Sequence, residues 1–333
     1  MMKTNAEFPK LLQAFFTDRL MNQRKASQHT IASYRDTFRL LLGFATQQLK
    51  KAPSKVDFED LDTPFIGAFL DNLEKHRNNS ARSRNVRLAA IHSFFNYVAI
   101  HEPCHGGLAQ RILAIPSKRY KRRQVVFLNR CEVDALLAAP DLDTWAGRRD
   151  RALMLVMVQT GLRVSELTEL RCQDIVLGTG AHVRCTGKGR KERCIPLRKE
   201  TVATLRAWLR GRNTDPSEPL FPNTRGGPLS SDGVQYLLNK HRTSASQQCP
   251  SLKKKKVSPH VLRHTAAMDL LQHGVDSSVI ALWLGHESVE TTQIYIHANL
   301  KLKEKALAKT TPLNVKPVRY RPDDHLLAFL QSL

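Results

Sequence analysis

The 333-residue chain carries 52 Lys and Arg against 30 Asp and Glu, a formal charge of +22, so a polyanion is the expected partner, because a field of this sign attracts phosphate backbones and releases their counterions. Hydrophobic residues at 41% and charged residues at 25% exclude a disordered chain, and the length suits two domains. No run approaches the ~20 apolar residues of a membrane span, the densest being residues 152–158; residues 1–9 lack the apolar core of a secretory signal, and the scattered cysteines form no CxxC pair for zinc or redox chemistry.

Phe8, Leu11, Leu12, Phe15, Phe16 and Leu20 recur at the spacing of one helical face. A second helix, about 30–49, aligns Ile31, Tyr34, Phe38, Leu41, Leu42 and Ala45, with residues 27–30 offering cap oxygens. A third opens at Asp62-Thr63-Pro64, an N-cap followed by a first-turn proline, and carries Ile66, Phe69, Leu70 and Leu73. The fourth starts near Ser80 and buries Leu88, Ile91, Phe95 and Val98, which completes an all-α domain over about residues 5–103. Arg82, Arg84 and Arg87 oppose the macrodipole at the start of this helix, so a phosphate backbone would favour them; a solvated basic face is the alternative. The helical pattern breaks at Gly106. Lys118, Arg119, Lys121, Arg122 and Arg123 then crowd seven residues, and residues 106–123 read as a basic interdomain linker suited to lie across DNA.

Beyond the linker, helices are expected near 132–138, 148–160 and 164–171. Three β runs follow at 174–177, 182–186 and 193–197, with Gly187–Lys191 as a tight basic hairpin in a small antiparallel sheet. Further helices are expected at 201–210 and 232–241, at 259–273 behind Ser258-Pro259, at 278–284 before Gly285, and at 289–298. The run Lys253–Lys256 reads as a solvated loop. The overall class is mostly α: an all-α first domain (1–105) and a mixed, mainly α second domain (124–310). In the tail, 311–333, Pro312, Pro317 and Pro322 interrupt helix before Leu326, Phe329, Leu330 and Leu333 form one apolar face, which must dock on something to be stable.

The hairpin GKGRK does not match a Walker phosphate loop, and Val261 stands where a zinc HExxH would need glutamate, so neither ATP nor a metal is implied. What remains is a set of cations and one phenol. Arg163 follows Gly161, and its fork suits two phosphate oxygens with Glu166 to orient it; a plain i,i+3 ion pair is the alternative. His260, Arg263 and His264 share a helix face, where buried charges would repel unless an anion resolved the conflict. His286 lies just past Gly285, and Tyr295 nine residues on.

In chain order, TGLRVSEL (160–167), TGKGRKE (186–192), HVLRH (260–264), LGH (284–286) and TTQIYIH (291–297) together resemble the tyrosine recombinase, or phage integrase, family, over about residues 8–300. The resemblance implies a helical, SAM-like core-binding domain followed by a catalytic domain of the compact Xer-like or transposon-borne type. It implies that Tyr295 attacks a DNA phosphodiester to leave a 3′-phosphotyrosine; apart from the resemblance, Tyr236 and Tyr320 are the phenols to which an adduct persisting in Tyr295→Phe would move the nucleophile. Arg163, Arg263 and His286 would bind the phosphate, His260 would accept the phenol proton, Lys188 would protonate the 5′-oxygen, and Glu166 and His264 would support them. No cofactor is implied. Expected partners are duplex DNA, a homotetramer on two sites with the C-terminal helix docked in trans, and a related recombinase as a candidate second partner. No membrane is involved, and the expected setting is bacterial, cytoplasmic and nucleoid-associated. A type IB topoisomerase-like enzyme and a non-catalytic DNA-binding accessory protein are the alternative functions.

Overall fold

The computed structural model describes residues 7–121, 125–187, 192–210, 215–286 and 292. The chain divides into two units, Met1–Arg123 and Gln124–Leu333.

In the first unit, α1 (Glu7–Ala14) continues as a π-wound segment, Phe15–Gln23. The wider winding brings residues five apart onto one side, which puts Phe15 and Leu20 together in the core, both essentially inaccessible. α2 (Gln28–Leu49) starts on the Ser27 hydroxyl, and α3 (Thr63–Arg77) on the Asp62 carboxylate, which accepts from the Phe65 N–H at 2.8 Å. α4 (Ala81–His101) is capped by Ser80. Its Phe94 is the hub of the core, with ring centroids 5.5 Å from Phe8, 5.4 Å from Phe15 and 5.3 Å from Phe38, all at steep edge-to-face angles.

Two sequence expectations change here. Residues 106–113 are not linker: they form α5 (Gly106–Leu113), whose Ala109 and Ile112 are fully buried in the same core. The adjacent glycines obscured this short amphipathic helix. Nor do the three α4 arginines make an outward basic face, since only Arg82 is exposed. Arg84 is 6% exposed and donates to the Pro116 carbonyl at 3.2 Å, while Arg87 donates to the Ser33 carbonyl at 3.0 Å and the Thr37 hydroxyl at 3.1 Å. Both fasten α4 to its neighbours. Asn85 exchanges two hydrogen bonds with the Lys118 backbone, and the Lys118 ammonium sits 2.5 Å from Glu74, so the start of the basic segment is anchored on α4.

The second unit contains α6 (Arg130–Ala138), α7 (Trp145–Thr160), α8 (Val164–Glu169), β1 (Ile175–Val176), β2 (His182–Thr186), β3 (Glu192–Pro196), α9 (Lys199–Leu209), α10 (Ser231–Gln248), α11 (Pro259–Gln272) and α12 (Ser277–Leu284). The strands form an antiparallel sheet in the order β1-β2-β3, with Val183 opposite Ile195 and Cys185 opposite Arg193. α7 is the central helix: Ala152, Leu153, Met154, Val156 and Met157 are all buried, because it is enclosed on several sides instead of presenting one stripe.

α10 runs seven residues past its expected end at 241. The polar residues that hid this extension are partly internal: His241 is 3% exposed and its Nε2 lies 2.8 Å from the buried Asp150 carboxylate, which also takes two bonds from Arg149. Lys255 likewise departs from the solvated-loop expectation. Its ammonium donates to Glu132 at 2.7 Å and to the Phe127 carbonyl at 2.9 Å. Glu132 is fully buried and also closes the capping box of α6, whereas Lys253, Lys254 and Lys256 are exposed. Of the helix expected at 289–298, only Thr292 is among the described residues, and it is helical.

Candidate active site

The site is assembled around two tight turns. α7 ends at Gly161, whose φ of +64° is the left-handed geometry glycine adopts without strain. A β-carbon there would stand 2.6 Å from Leu284 Cδ2, so the absent side chain is what lets the end of α12 pack against the end of α7. The chain then turns into α8. Arg163 occupies the N-cap position, its backbone N–H donating to Glu166 Oε2 at 2.8 Å and its Nη1 to Oε1 at 2.8 Å. The expected i,i+3 pair is therefore present, and it orients the guanidinium.

Glu166 is held from its other side as well. Arg193, reaching in from β3, donates Nη1 to Oε1 at 3.1 Å and Nη2 to Oε2 at 2.7 Å. Burial would raise the Glu166 pKa, but hydrogen bonds from Arg193 and the Arg163 backbone, with the Arg193 charge, outweigh it and hold the carboxyl below its usual range.

The arginines converge on the carboxyl end of α12. Arg193 Nε donates to the Trp283 carbonyl at 3.1 Å, Arg263 Nη2 to the Leu284 carbonyl at 2.7 Å, and Arg163 Nη2 to the Gly285 carbonyl at 2.8 Å. Three successive carbonyls at the negative end of a helix thus each take a different guanidinium, which satisfies groups a helix end leaves unpaired. Arg263, itself 6% exposed, also donates Nη1 to the Gly161 carbonyl at 2.7 Å.

His264 and His286 add no charge to this cluster at neutral pH. Burial first, then the charges of Arg263, Arg163 and Arg193, push the His286 pKa down to about 4, and its Nδ1 lies 2.8 Å from the Thr292 hydroxyl. His264 is also pushed down to about 4, by burial and then by His260 and Arg263. The repulsion expected among His260, Arg263 and His264 is therefore relieved without a ligand: His264 is neutral and His260 lies exposed in the first turn of α11. Arg163 and Arg193 share the single Glu166 carboxylate, and Arg263, held on the neighbouring carbonyl, brings the formal balance of this largely buried cluster to plus two, an arrangement fit to hold a phosphodiester and the added negative charge of its pentacoordinate transition state.

The Phage integrase family matches residues 126–301, and the Phage integrase, N-terminal SAM-like domain, matches residues 14–102. The chain belongs to the phage integrase family. These are the tyrosine recombinases, enzymes that break and rejoin DNA in site-specific recombination. The integrase/recombinase y4rC of Sinorhizobium fredii is 61% identical over 332 residues, all of both chains. Tyrosine recombinase XerD of Pseudomonas putida is 34% identical over 295 residues, covering 85% of this chain and 91% of XerD. The fold is shared with a lambda integrase tetramer bound to a Holliday junction, at a TM-score of 0.61 and 21% identity over 86% of this chain and 76% of that one.

In this tyrosine recombinase the structure brings Arg163, Glu166, Arg263, His264 and His286 into one cluster and places Arg193 among them. Tyr295, Lys188, Arg122 and Arg123 lie outside the described residues. Arg119 and Lys121 are exposed, as is Lys118 apart from its Glu74 contact. Arg193 was not singled out by sequence reasoning, although strand alternation carried a signal: it shares parity with the buried Ile195 and so had to point inward. The carbonyl triplet of residues 283–285 had no sequence signal at all. Among the described residues, Glu7, Cys104 and His105 are close enough to hold a metal ion, but Glu7 and Cys104 are exposed and the half-buried His105 already pairs with Glu7 at 3.2 Å. No helix among the described residues is long and apolar enough to cross a membrane.

Proposed function

We propose that this recombinase exchanges strands between two duplex DNA sites through a 3′-phosphotyrosine, with Arg163 and Arg263 holding the non-bridging oxygens of the scissile phosphate. The observation that carries this reading is the net-positive arginine cluster gathered on the successive carbonyls of Trp283, Leu284 and Gly285, where α12 ends. The Tyr295 phenolic oxygen attacks phosphorus, the bond to the 5′-oxygen breaks, the phenol proton passes to the exposed His260, and Lys188 protonates the leaving oxygen. His286, neutral beside two arginines, contributes a hydrogen bond to the phosphate and no further charge. The protein cations supply the transition-state electrostatics, so the reading requires no metal or nucleotide. Because the phosphotyrosine conserves the phosphodiester energy, rejoining is the same step reversed.

The exposed cations Arg82, Arg119 and Lys121, with Lys118, Arg122 and Arg123, would track the DNA backbone. Assembly as a homotetramer on two sites, with the C-terminal segment of each subunit docked on a neighbour, is part of the same proposal and is supported by the fold shared with the lambda integrase tetramer. A related recombinase could occupy two of the four positions. Incubation with a nicked suicide duplex and denaturing electrophoresis tests the chemistry: wild type should leave a covalent protein–DNA band and Tyr295→Phe none. An adduct persisting in that variant would move the nucleophile to another residue. Products joined between two labelled duplexes would separate strand exchange from topoisomerase-like nicking and resealing.

A further inference from the structure

We infer that Arg193 is a positioning residue for cleavage, a clamp that fixes Glu166, and through it Arg163, against the end of α12. The inference rests on the proposed phosphate site and adds to it a residue that would not touch DNA.

Arg193 arrives from β3, opposite Cys185, and its side chain is 13% exposed. Its fork spans both oxygens of Glu166, while Nε reaches the Trp283 carbonyl. The carboxylate in turn takes the Arg163 backbone N–H and Nη1. Arg193 therefore supplies two of the four arginine hydrogen bonds on Glu166 and ties three elements, β3, α8 and α12, at one point. The path is built for it. Gly285 has a φ of +65°, and a β-carbon there would come within 2.8 Å of Arg193 Nη1 and 3.0 Å of Cζ. A surface arginine needs neither a glycine-lined slot nor a buried carboxylate.

Without Arg193, Glu166 would remain nearly buried with only Arg163 to pair with, and the carboxylate would pull the Arg163 fork toward itself. Arg163 would then shift relative to Arg263, which is held independently by Gly161 and Leu284. The phosphate would still be attracted, but its oxygens would no longer meet two guanidinium groups in register. The loss should fall on the cleavage step, where misplacement by about an ångström costs ~10²-fold.

The test is single-turnover adduct formation on a suicide duplex, with half-site affinity measured in parallel. Arg193→Ala should slow cleavage about 10²-fold while changing the Kd less than about threefold, and Arg193→Lys should recover part of the rate because one ammonium can restore one contact but not the fork. A cycle with Glu166→Gln adds the decisive readout. If Arg193 acts through Glu166, the double variant should be no slower than the slower single variant; losses that multiply, or a cleavage rate within about twofold of wild type in Arg193→Ala, would overturn the inference. Should Arg193→Ala fail to fold, Arg193→Lys carries the same comparison, with slowed cleavage at retained affinity supporting the clamp and an unchanged rate refuting it. Arg263→Lys and Tyr295→Phe serve as controls for the site itself. Normal cleavage in those two would refute the phosphate site, whereas impaired cleavage there with normal Arg193 variants would refute only the clamp.

Discussion

Gly161→Ala should both weaken the second unit and impair its chemistry. The substituted residue must hold a φ of +64°, which costs an L-residue ~1–2 kcal/mol. Its β-carbon would also lie 2.6 Å from Leu284 Cδ2 and 3.2 Å from the Ala266 β-carbon, and overpacking of this kind costs ~1–3 kcal/mol. A total near 3 kcal/mol corresponds to a fall in Tm of roughly 6–12 °C for a domain of this size. Gly180→Ala separates the two terms. Gly180 has a φ of +71° with nothing within 4 Å of the added carbon, so it should cost only the backbone part, about 1 kcal/mol. Thermal and urea unfolding of the two variants gives the difference. Because the Gly161 carbonyl also anchors Arg263, folded Gly161→Ala protein should cleave more slowly than wild type, while Gly180→Ala should not. Equal destabilisation by the two substitutions would refute the argument that α12 is seated on Gly161.

Other outcomes follow from the same interactions. Asp150→Asn removes the negative charge that compensates the buried Arg149 guanidinium and puts an amide in place of the carboxylate beside His241, and should cost about 3–5 kcal/mol, measured by urea unfolding. As pH falls from 6.5 toward 4, stability should decline because the unfolded chain protonates His264 and His286 while the folded chain keeps them neutral; His264→Gln and His286→Gln should each flatten that limb. Below about 4.5 the carboxylates take over: Glu132 and Glu166, both held below their usual range, lose their stabilising pairs as they protonate, so Glu132→Gln should flatten this second limb of the pH titration. Neutralising Arg119 and Lys121 should reduce the slope of log K against log salt by about 0.9 for each DNA phosphate that no longer meets a cation, while Lys118→Ala should reduce it less, because Glu74 already pairs with that ammonium; equal effects would mean that Lys118 leaves Glu74 on binding DNA.

Much of the fold was legible along the chain because its signals are local. Ser27, Asp62, Ser80 and Ser258 cap the helices they precede, Gly161 and Gly285 end theirs, and the strand alternation of 182–186 survives unchanged as β2. The local signals failed where polar side chains turn inward. Arg84 and Arg87 read as a basic face and Lys255 as a solvated charge, yet each finds a carbonyl, hydroxyl or carboxylate across the fold, and α10 outran its pattern because Asp150, 91 residues away, satisfies His241.

The site divides along the same line. The order and spacing of Arg163, Glu166, Lys188, His260, Arg263, His264, His286 and Tyr295 together carried the resemblance to the family. Which cations share a carboxylate, which histidines stay neutral, and that three guanidinium groups meet on the consecutive carbonyls of Trp283, Leu284 and Gly285 depended on bringing α8, β3, α11 and the end of α12 together. A sequence specifies a side chain's charge and the face of its own element, but a buried charge is tolerable only beside its partner, and within this site those partners lie as far as 122 residues apart.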